Sequence, residues 1–166
     1  VKEILKDKNV EIVSLKEAGI DVDVEENGTT FEENALIKAR AVCKMTGSVT
    51  MADDSGLEVD YLDKQPGVYS ARFMGHDTSY DIKNKAIIDK LEGVEGDARR
   101  ARFVAAIAVV FPDGKEIVTR GTMEGLIARE PAGDNGFGYD PIVYLPEYGM
   151  TSAQLSPEEK NKISLR

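Results

Sequence analysis

The sequence contains little of what several common classes of protein require. Cys43 is the only cysteine among 166 residues, which excludes an intrachain disulfide and a metal site built from several thiolates. No apolar run approaches the roughly 20 residues needed to cross a bilayer, and the first ten residues lack the apolar core of a secretory signal. We therefore expect a cytoplasmic protein that is not bound to a membrane, and oxygen atoms as the ligands of any metal.

Positive charge is also scarce. The chain has 21 Lys and Arg against 30 Asp and Glu, a formal net charge of −9 at pH 7. This charge opposes non-specific binding to a phosphate backbone, so we do not expect a nucleic acid polymer as a partner. A small anionic substrate remains compatible if a divalent cation, lysines in one cleft or backbone N–H groups compensate its charge locally.

The order of the predicted elements indicates the fold class. The length and the 42% hydrophobic content suit one compact α/β domain, which buries roughly 70% of the surface of the unfolded chain. Periodicity and capping signals predict helices over 1–7, 30–47, 78–91 and from 156 onward, and strands over 10–15, 49–52, 57–61, 101–111, 115–120 and 142–145. This order, with one long antiparallel hairpin, favours a mixed sheet flanked by helices, and such sheets bind ligands in a crevice at strand ends.

The first candidate site is the run of residues 53–56, Asp-Asp-Ser-Gly, after the predicted strand 49–52. Successive side chains of a strand point to opposite faces, so only one of Asp53 and Asp54 can face a cleft. A carboxylate at the mouth of a buried strand is rigidly placed, and Mg²⁺ takes one or two such oxygens together with phosphates and waters. We expect Ser55 and Gly56 to turn the chain there and to hold a phosphate oxygen. A polar turn without chemistry explains the same run.

The second candidate site is the glycine-rich segment 130–141. Its three glycines at 133, 136 and 138 allow close approach of the backbone to a ligand and flank Phe137 and Tyr139, whose rings could stack on a base. Asp140 could accept hydrogen bonds from base N–H groups. A tight loop with an ordinary core aromatic explains the same spacing. Taken alone, Glu26, Lys160 and Arg166 indicate only pairing with helix dipoles.

Four motifs in order resemble the inosine triphosphate pyrophosphatase family: TTFEENALIKAR at 29–40, MADDSGLEVD at 51–60, PGVYSARF at 66–73 and EPAGDNGFGYDPI at 130–142. LSPEEKNKIS at 155–164 extends the match over essentially the whole chain. The resemblance implies an elongated α/β fold with a long mixed sheet flanked by helices, two lobes around a central cleft, and a homodimer. It also implies hydrolysis of the triphosphates of inosine, deoxyinosine and xanthosine to the monophosphate and pyrophosphate, which removes deaminated purines from the nucleotide pool.

The same resemblance assigns roles to residues. It makes Asp54 the proton acceptor and a ligand of Mg²⁺, and Glu26 a second acidic ligand. The substrate-binding positions that it implies are Ser55, Phe137, Gly138, Tyr139, Asp140, Lys160 and Arg166. The family's Thr-x-Asn-x-x-Lys phosphate loop does not precede Val1, and Leu165 replaces the histidine of its Ser-His-Arg motif. We therefore expect a single domain of this type over 1–166, truncated at both ends.

Two other functions remain compatible with the residues. A magnesium-dependent phosphatase of the aspartyl-phosphate class also places an aspartate at a strand end and would release orthophosphate. Such enzymes usually carry Asp-x-Asp, whereas adjacent aspartates occur here. A catalytically impaired nucleotide-binding fragment is the other alternative, because the terminal motifs of the family are missing or changed.

Overall fold

The computed structural model describes residues 11–20, 24–75 and 77–163. The helices are α1 (Phe31–Thr46), α2 (Tyr80–Lys90) and α3 (Pro157–Ile163). The strands are β1 (Thr50–Val59), β2 (Gln65–Pro66), β3 (Arg100–Val110), β4 (Glu116–Ile127), β5 (Val143–Leu145) and β6 (Met150–Thr151). In these ranges no helix has both the length and the apolar character needed to span a membrane.

Local sequence fixes both ends of α1. The hydroxyl of Thr30 accepts a hydrogen bond from the amide of Glu33 at 3.0 Å, and the carboxylate of Glu33 accepts one from the amide of Thr29 at 2.7 Å. This reciprocal pair satisfies amides that have no partner inside the helix. At the other end Gly47 adopts the left-handed conformation, with φ 67°, and donates to the carbonyl of Cys43 at 2.8 Å. The predicted start and end of this helix are confirmed.

The strands form one six-stranded sheet in the order β2-β1-β3-β4-β5-β6. All pairs of neighbouring strands are antiparallel within the described residues, so no parallel pair of a mixed sheet occurs there. The α/β class, with a long sheet carrying helices, is confirmed. The predicted hairpin is present as β3 and β4, and β4 continues beyond the predicted end at residue 120 as far as Ile127.

The predicted turn at residues 53–56 is wrong. β1 runs without interruption from Thr50 to Val59, so the two predicted strands 49–52 and 57–61 are parts of a single strand. Each residue of β1 has a partner in β3, from Thr50 opposite Val110 to Val59 opposite Ala101. This continuous ladder overrides the local preference of Asp, Ser and Gly for turns, because strand propensity depends mainly on cross-strand context.

Alternation along β1 gives the sheet two different faces. Asp54 lies opposite Ala106 and Ser55 opposite Ala105, so these neighbouring side chains point to opposite faces. One face carries a buried cluster with α1: Phe31, Ala35, Ala39, Cys43, Val104, Ala106, Ala108 and Val110. The other carries a larger cluster that includes Leu57, Val59, Ala101, Ile127 and Tyr139 together with Ile87 and Leu91. The core therefore lies in two layers, one on each side of the sheet.

The remaining predictions have mixed outcomes. α2, β5 and α3 lie within one or two residues of the bounds expected from sequence. The predicted strand over 10–15 is wrong for residues 11–15, where the backbone is irregular and the amide of Ile20 closes a turn onto the carbonyl of Leu15 at 2.8 Å. That turn satisfies backbone groups within residues 14–20 without a sheet. The predicted helix over 1–7 lies outside the described residues.

Candidate functional site

A cavity of about 450 Å³ opens on the sheet face opposite α1. Its floor is formed by β1, β3 and β4 through Ser55, Phe103, Ala105 and Met123. Its walls come from Ser70 and Ala71, from Tyr80 at the start of α2, from residues 136–140, and from Lys160 and Asn161 of α3. Small-molecule sites typically occupy roughly 300–1,000 Å³ and combine an apolar lining with a few polar groups. The cavity therefore has the size and lining of a small-molecule site.

Two glycines fix the path of the loop that forms one wall. A Cβ atom at Gly133 would lie 2.4 Å from the carbonyl carbon of Ala153, and one at Gly136 would lie 2.2 Å from Oδ2 of Asp140. Both glycines also have positive φ, at 93° and 78°. No other residue fits these positions without displacing its neighbours. The close approach of this loop to the segment around Ala153 thus depends on the glycines that the sequence analysis singled out.

Asp140 anchors the same loop. Its carboxylate is buried, with Oδ1 accepting from the hydroxyl of Ser152 at 2.6 Å and Oδ2 accepting from the amide of Phe137 at 2.9 Å. The ammonium of Lys160 also donates to Oδ2. Both carboxylate oxygens therefore already accept hydrogen bonds from protein groups. Only their remaining lone pairs could accept a hydrogen bond from a ligand. In this structure Asp140 first of all fixes the loop.

The two aromatic residues of the loop have different roles. The ring of Phe137 is 70% exposed at the cavity, and the ammonium of Lys160 lies 5.5 Å from its centroid. Tyr139 is buried, donates its hydroxyl to the carbonyl of Ser70 at 2.6 Å and packs edge-on against Tyr80 at 5.1 Å. Burial, with a smaller effect of Tyr80, raises the pKa of the Tyr139 phenol. Phe137 is thus the ring available to stack on a base, and Tyr139 is part of the wall.

A cluster of charged residues lies on the opposite face of β1, under α1. The ammonium of Lys38 is 3.0 Å from Oε1 of Glu26 and 3.9 Å from Oδ1 of Asp54, and it donates to the main-chain carbonyl of Asp53. Two carboxylates therefore converge on one cation. Asp54 does not line the cavity described above. It lies in the middle of β1, whereas the sequence predicted it at the point where a strand ends and opens into a crevice. The continuation of the β1–β3 ladder through position 59 is the reason.

The electrostatics of Asp54 are those of a partly desolvated carboxylate. Burial raises its pKa to about 6, and the positive charge of Lys38 partly opposes this effect. Its Oδ2 atom and Nδ2 of Asn34 are buried, and no hydrogen bond of good geometry reaches either atom in the described part of the chain, although the side chain of Asn34 lies close enough to lower the pKa of Asp54. A buried carboxylate oxygen without a partner is costly unless a cation or donor satisfies it. The residues present therefore fit a divalent cation, which accepts one or two carboxylates and completes its shell with substrate and water.

No described group of three or more His, Cys, Asp or Glu side chains could enclose a metal ion on its own. Asp54 and Glu26 form a pair instead. Since Mg²⁺ usually keeps several waters and binds together with phosphates, a pair suffices for a cation that arrives with its substrate.

The structure brings most predicted site residues together but divides them between two faces. Six of the predicted substrate-binding residues line one cavity: Ser55, Phe137, Gly138, Tyr139, Asp140 and Lys160. The predicted metal ligands, Glu26 and Asp54, lie in the cluster on the other face. The two faces meet at the edge of β1, because residues 50–57 are paired on the β3 side only within the described ranges. Arg166 lies outside the described residues.

Three residues of these sites were missed from sequence. Asn34 and Lys38 are four positions apart in α1 and therefore lie on one side of that helix, among residues that pack on the sheet. Two polar residues at this spacing beside the apolar positions 35 and 39 were a usable signal. Tyr80 gave no signal, since only the tertiary fold brings the start of α2 to the loop of Gly138.

The sequence of this chain matches a known protein family. A model of the Ham1 family matches residues 1–166. A dITP/XTP pyrophosphatase of Clostridium perfringens is 48% identical over 172 residues, covering 100% of this chain and 84% of that protein. The dITP/XTP pyrophosphatase of Bacillus subtilis is 45% identical, covering 99% of this chain and 83% of that protein.

Solved structures agree with these sequence matches. A HAM1 protein from Coxiella burnetii superposes with a TM-score of 0.90 at 41% identity, covering 98% of this chain and 83% of that chain. The Ham1 protein of Staphylococcus aureus gives a TM-score of 0.90 at 44% identity, covering 99% and 84%. The resemblance inferred from the sequence motifs is thus confirmed, and the chain belongs to the Ham1 family.

Proposed function

We propose that this chain hydrolyses non-standard purine nucleoside triphosphates, dITP, ITP and XTP, to the monophosphate and pyrophosphate. The observation that carries the proposal is the arrangement at β1, where a nucleoside-sized cavity on one face adjoins a buried carboxylate one residue along the strand on the other. The names of relatives that are 45–48% identical over nearly the whole chain support the same reaction.

The proposed recognition of the base uses the cavity. Phe137 stacks on the purine, and the loop of Gly138 presents main-chain groups to its polar edge, with Lys160 and Ser55 as further contacts. A site that fixes polar groups in this way discriminates strongly, since a wrong base leaves buried partners unpaired. Arg166 is a further proposed contact, on the strength of the family resemblance alone.

The proposed chemistry uses the charged cluster. Asp54 accepts the proton of a water molecule as its oxygen attacks the α-phosphorus, and the α–β anhydride bond breaks with pyrophosphate as the leaving group. A general base is most effective with a pKa near the working pH, and the raised pKa of Asp54, about 6, leaves it ionised but basic at neutral pH. Lys38 offsets negative charge beside it, at 3.9 Å from Oδ1 of Asp54.

Asp54 and Glu26 would hold the divalent cation, for which we propose Mg²⁺. When bound, such a cation neutralises phosphate charge and stabilises the charge that develops on transfer. The pair of carboxylates and the unpartnered Oδ2 atom of Asp54 support this assignment. From the family resemblance we further propose that the chain forms a homodimer, which light scattering would detect. We also propose a cytoplasmic location, because nucleotide pools are found there.

Product analysis with matched variants tests the function. We expect the wild-type chain with Mg²⁺ to release pyrophosphate from dITP and XTP in preference to dATP and dGTP. Asp54→Asn should lower kcat by at least about 100-fold with an unchanged circular dichroism spectrum, because it removes the proton acceptor. Asp113→Asn, in the exposed hairpin turn between β3 and β4, serves as the control and should retain full activity.

Two outcomes would contradict the proposal. Release of orthophosphate in place of pyrophosphate would indicate a phosphatase of the aspartyl-phosphate class. Full activity of a folded Asp54→Asn variant would exclude this residue as the proton acceptor.

A further inference from the structure

Two adjacent residues of α2, Lys83 and Asn84, are polar and almost completely buried, at 1% and 2% exposure. Neither lines the cavity, and neither belongs to the charged cluster at Asp54. Polar side chains are rarely buried to this extent unless they hold a partner. What each of them holds is one wall of the cavity.

Lys83 holds the wall that contains Ser70 and Ala71. Its ammonium donates to the carbonyl of Ala71 at 2.9 Å and lies 4.5 Å from the ring centroid of Tyr80. Both partners line the cavity. No carboxylate lies within ion-pair distance of this ammonium among the described residues. The buried charge is therefore stabilised by a main-chain carbonyl and an aromatic face, and displacing either would leave it with one of these two partners.

Asn84 holds the opposite wall. Its Nδ2 atom donates to the carbonyl of Gly138 at 3.2 Å, and Gly138 has a positive φ of 63°. Tyr80 packs on the same glycine, since a Cβ built there would lie 3.5 Å from its ring. The hydrogen bond that the hydroxyl of Tyr139 donates to the carbonyl of Ser70 connects this wall to the first.

We propose that Lys83 and Asn84 are positioning residues, one for each wall, which together set the cavity geometry that discriminates between purine bases. The inference rests on the proposed function, because it takes a purine as the occupant of the cavity. Discrimination by polar groups requires those groups to be held to within about 0.5 Å of their working positions. The sheet also contacts the first wall, since the amide of Leu57 donates to the hydroxyl of Ser70 at 2.9 Å, and Asp140 anchors the loop of the second. α2 adds one rigid helix that contacts both walls and so sets their positions relative to each other.

Hydrogen exchange measured by mass spectrometry tests the positioning directly. Lys83→Met keeps the length of the side chain and removes the donor, and it should accelerate exchange in 67–75 by about tenfold. Asn84→Ala should accelerate exchange in 136–140 to a similar degree. Lys85→Met is the matched control, because Lys85 lies on the same helix with an exposed side chain paired to Asp89 at 3.2 Å, and it should change neither segment.

Kinetics test the consequence for recognition. The ratio of kcat/KM for dITP to that for dGTP should fall about tenfold in Lys83→Met and Asn84→Ala, measured well below the Tm of each variant. Lys83→Arg, which keeps the charge and N–H donors for the carbonyl of Ala71, should recover most of the ratio. Lys85→Met should leave it unchanged.

The outcomes separate this inference from the proposed function. If both wall segments exchange as in wild type, or if Tm falls while the substrate ratio stays constant, the two residues are merely structural and the inference fails. If the wild-type chain releases no pyrophosphate from any triphosphate, the proposed function fails, and the exchange rates alone then decide whether Lys83 and Asn84 position the walls.

Discussion

At the scale of single residues, Asp54 couples the proposed chemistry to stability. Its folded-state pKa of about 6 is above the unfolded value near 3.8, so the folded protein binds this proton more tightly than the unfolded chain does. Stability from this group is therefore fully present below about pH 3.8 and is lost as the pH rises through about 6. At neutral pH without a divalent cation, the charged carboxylate destabilises the fold.

This sign leads to a measurable prediction for Asp54→Asn in EDTA. The variant should be more stable than wild type at pH 7.5 by about 1–2 kcal/mol, after solvent screening is allowed for, and the difference should shrink towards zero at pH 4. Urea denaturation followed by circular dichroism gives both values, and other groups titrate equally in the two proteins and cancel. A difference that grows as the pH falls would contradict the raised pKa.

At the scale of elements, Arg99 connects the end of α2 to the end of β4. Its buried guanidinium donates to the carbonyls of Leu91 and Val94 at 2.9 Å, of Ile127 at 2.7 Å and of Ala128 at 3.0 Å. These carbonyls follow the last turn of the helix and the last residues of the strand. One planar group thus satisfies the backbone acceptors where two elements end side by side.

Arg99→Lys should therefore destabilise the protein by about 3 kcal/mol, although the charge is retained. An ammonium has no fixed fork and cannot reach all of these carbonyls, so buried acceptors lose their partners. Arg100→Lys is the control, because the neighbouring side chain is half exposed and lies 3.9 Å from Glu124. Equal midpoints of urea unfolding for the two variants would show that the four hydrogen bonds contribute little.

Some elements of the fold could be predicted from the sequence, and others could not. The bounds of α1 were predictable because Thr30, Glu33 and Gly47 act within one turn of the helix ends. The continuity of β1 was not, because Asp53 to Gly56 prefer turns locally and only the distant β3 holds them extended. For residues 11–15, β-branched content indicated a strand, whereas the backbone there is irregular and leads into a local turn over residues 14–20.

The candidate site divides in the same way. The loop of Phe137 and Asp140 was predictable, since its glycines and aromatics are contiguous in sequence. Its partners were not, because Tyr80 and Ser70 reach it only through tertiary packing. Which face each residue of β1 occupies follows from strand alternation, but that rule could be applied beyond Asp54 only once the strand was known to continue.

At the scale of the whole molecule, apolar packing on both faces of the sheet builds the core. The two hydrophobic clusters lie on the two faces of the sheet, and within the described ranges no cluster of three or more candidate ligands could enclose an ion. We therefore expect EDTA to abolish the proposed triphosphate hydrolysis while changing Tm by no more than about 2 °C, because a cation that binds together with the substrate would contribute little to folding. Differential scanning calorimetry and a pyrophosphate assay measure the two quantities on the same sample. Mg²⁺ added back should restore activity. A large decrease of Tm in EDTA would instead indicate a structural metal and contradict this prediction.

Because Asp54 and Ser55 point to opposite faces, the register of β1 against β3 decides which face each side chain occupies. Deleting or inserting one residue between positions 50 and 53 while the β1–β3 ladder slides to compensate would exchange the two side chains between the faces. The carboxylate would then enter the cavity of Phe137, and the serine would be buried beneath α1. We therefore expect tolerated length changes to fall outside that short stretch or to come in pairs, because strand parity keeps the carboxylate and the hydroxyl on separate faces.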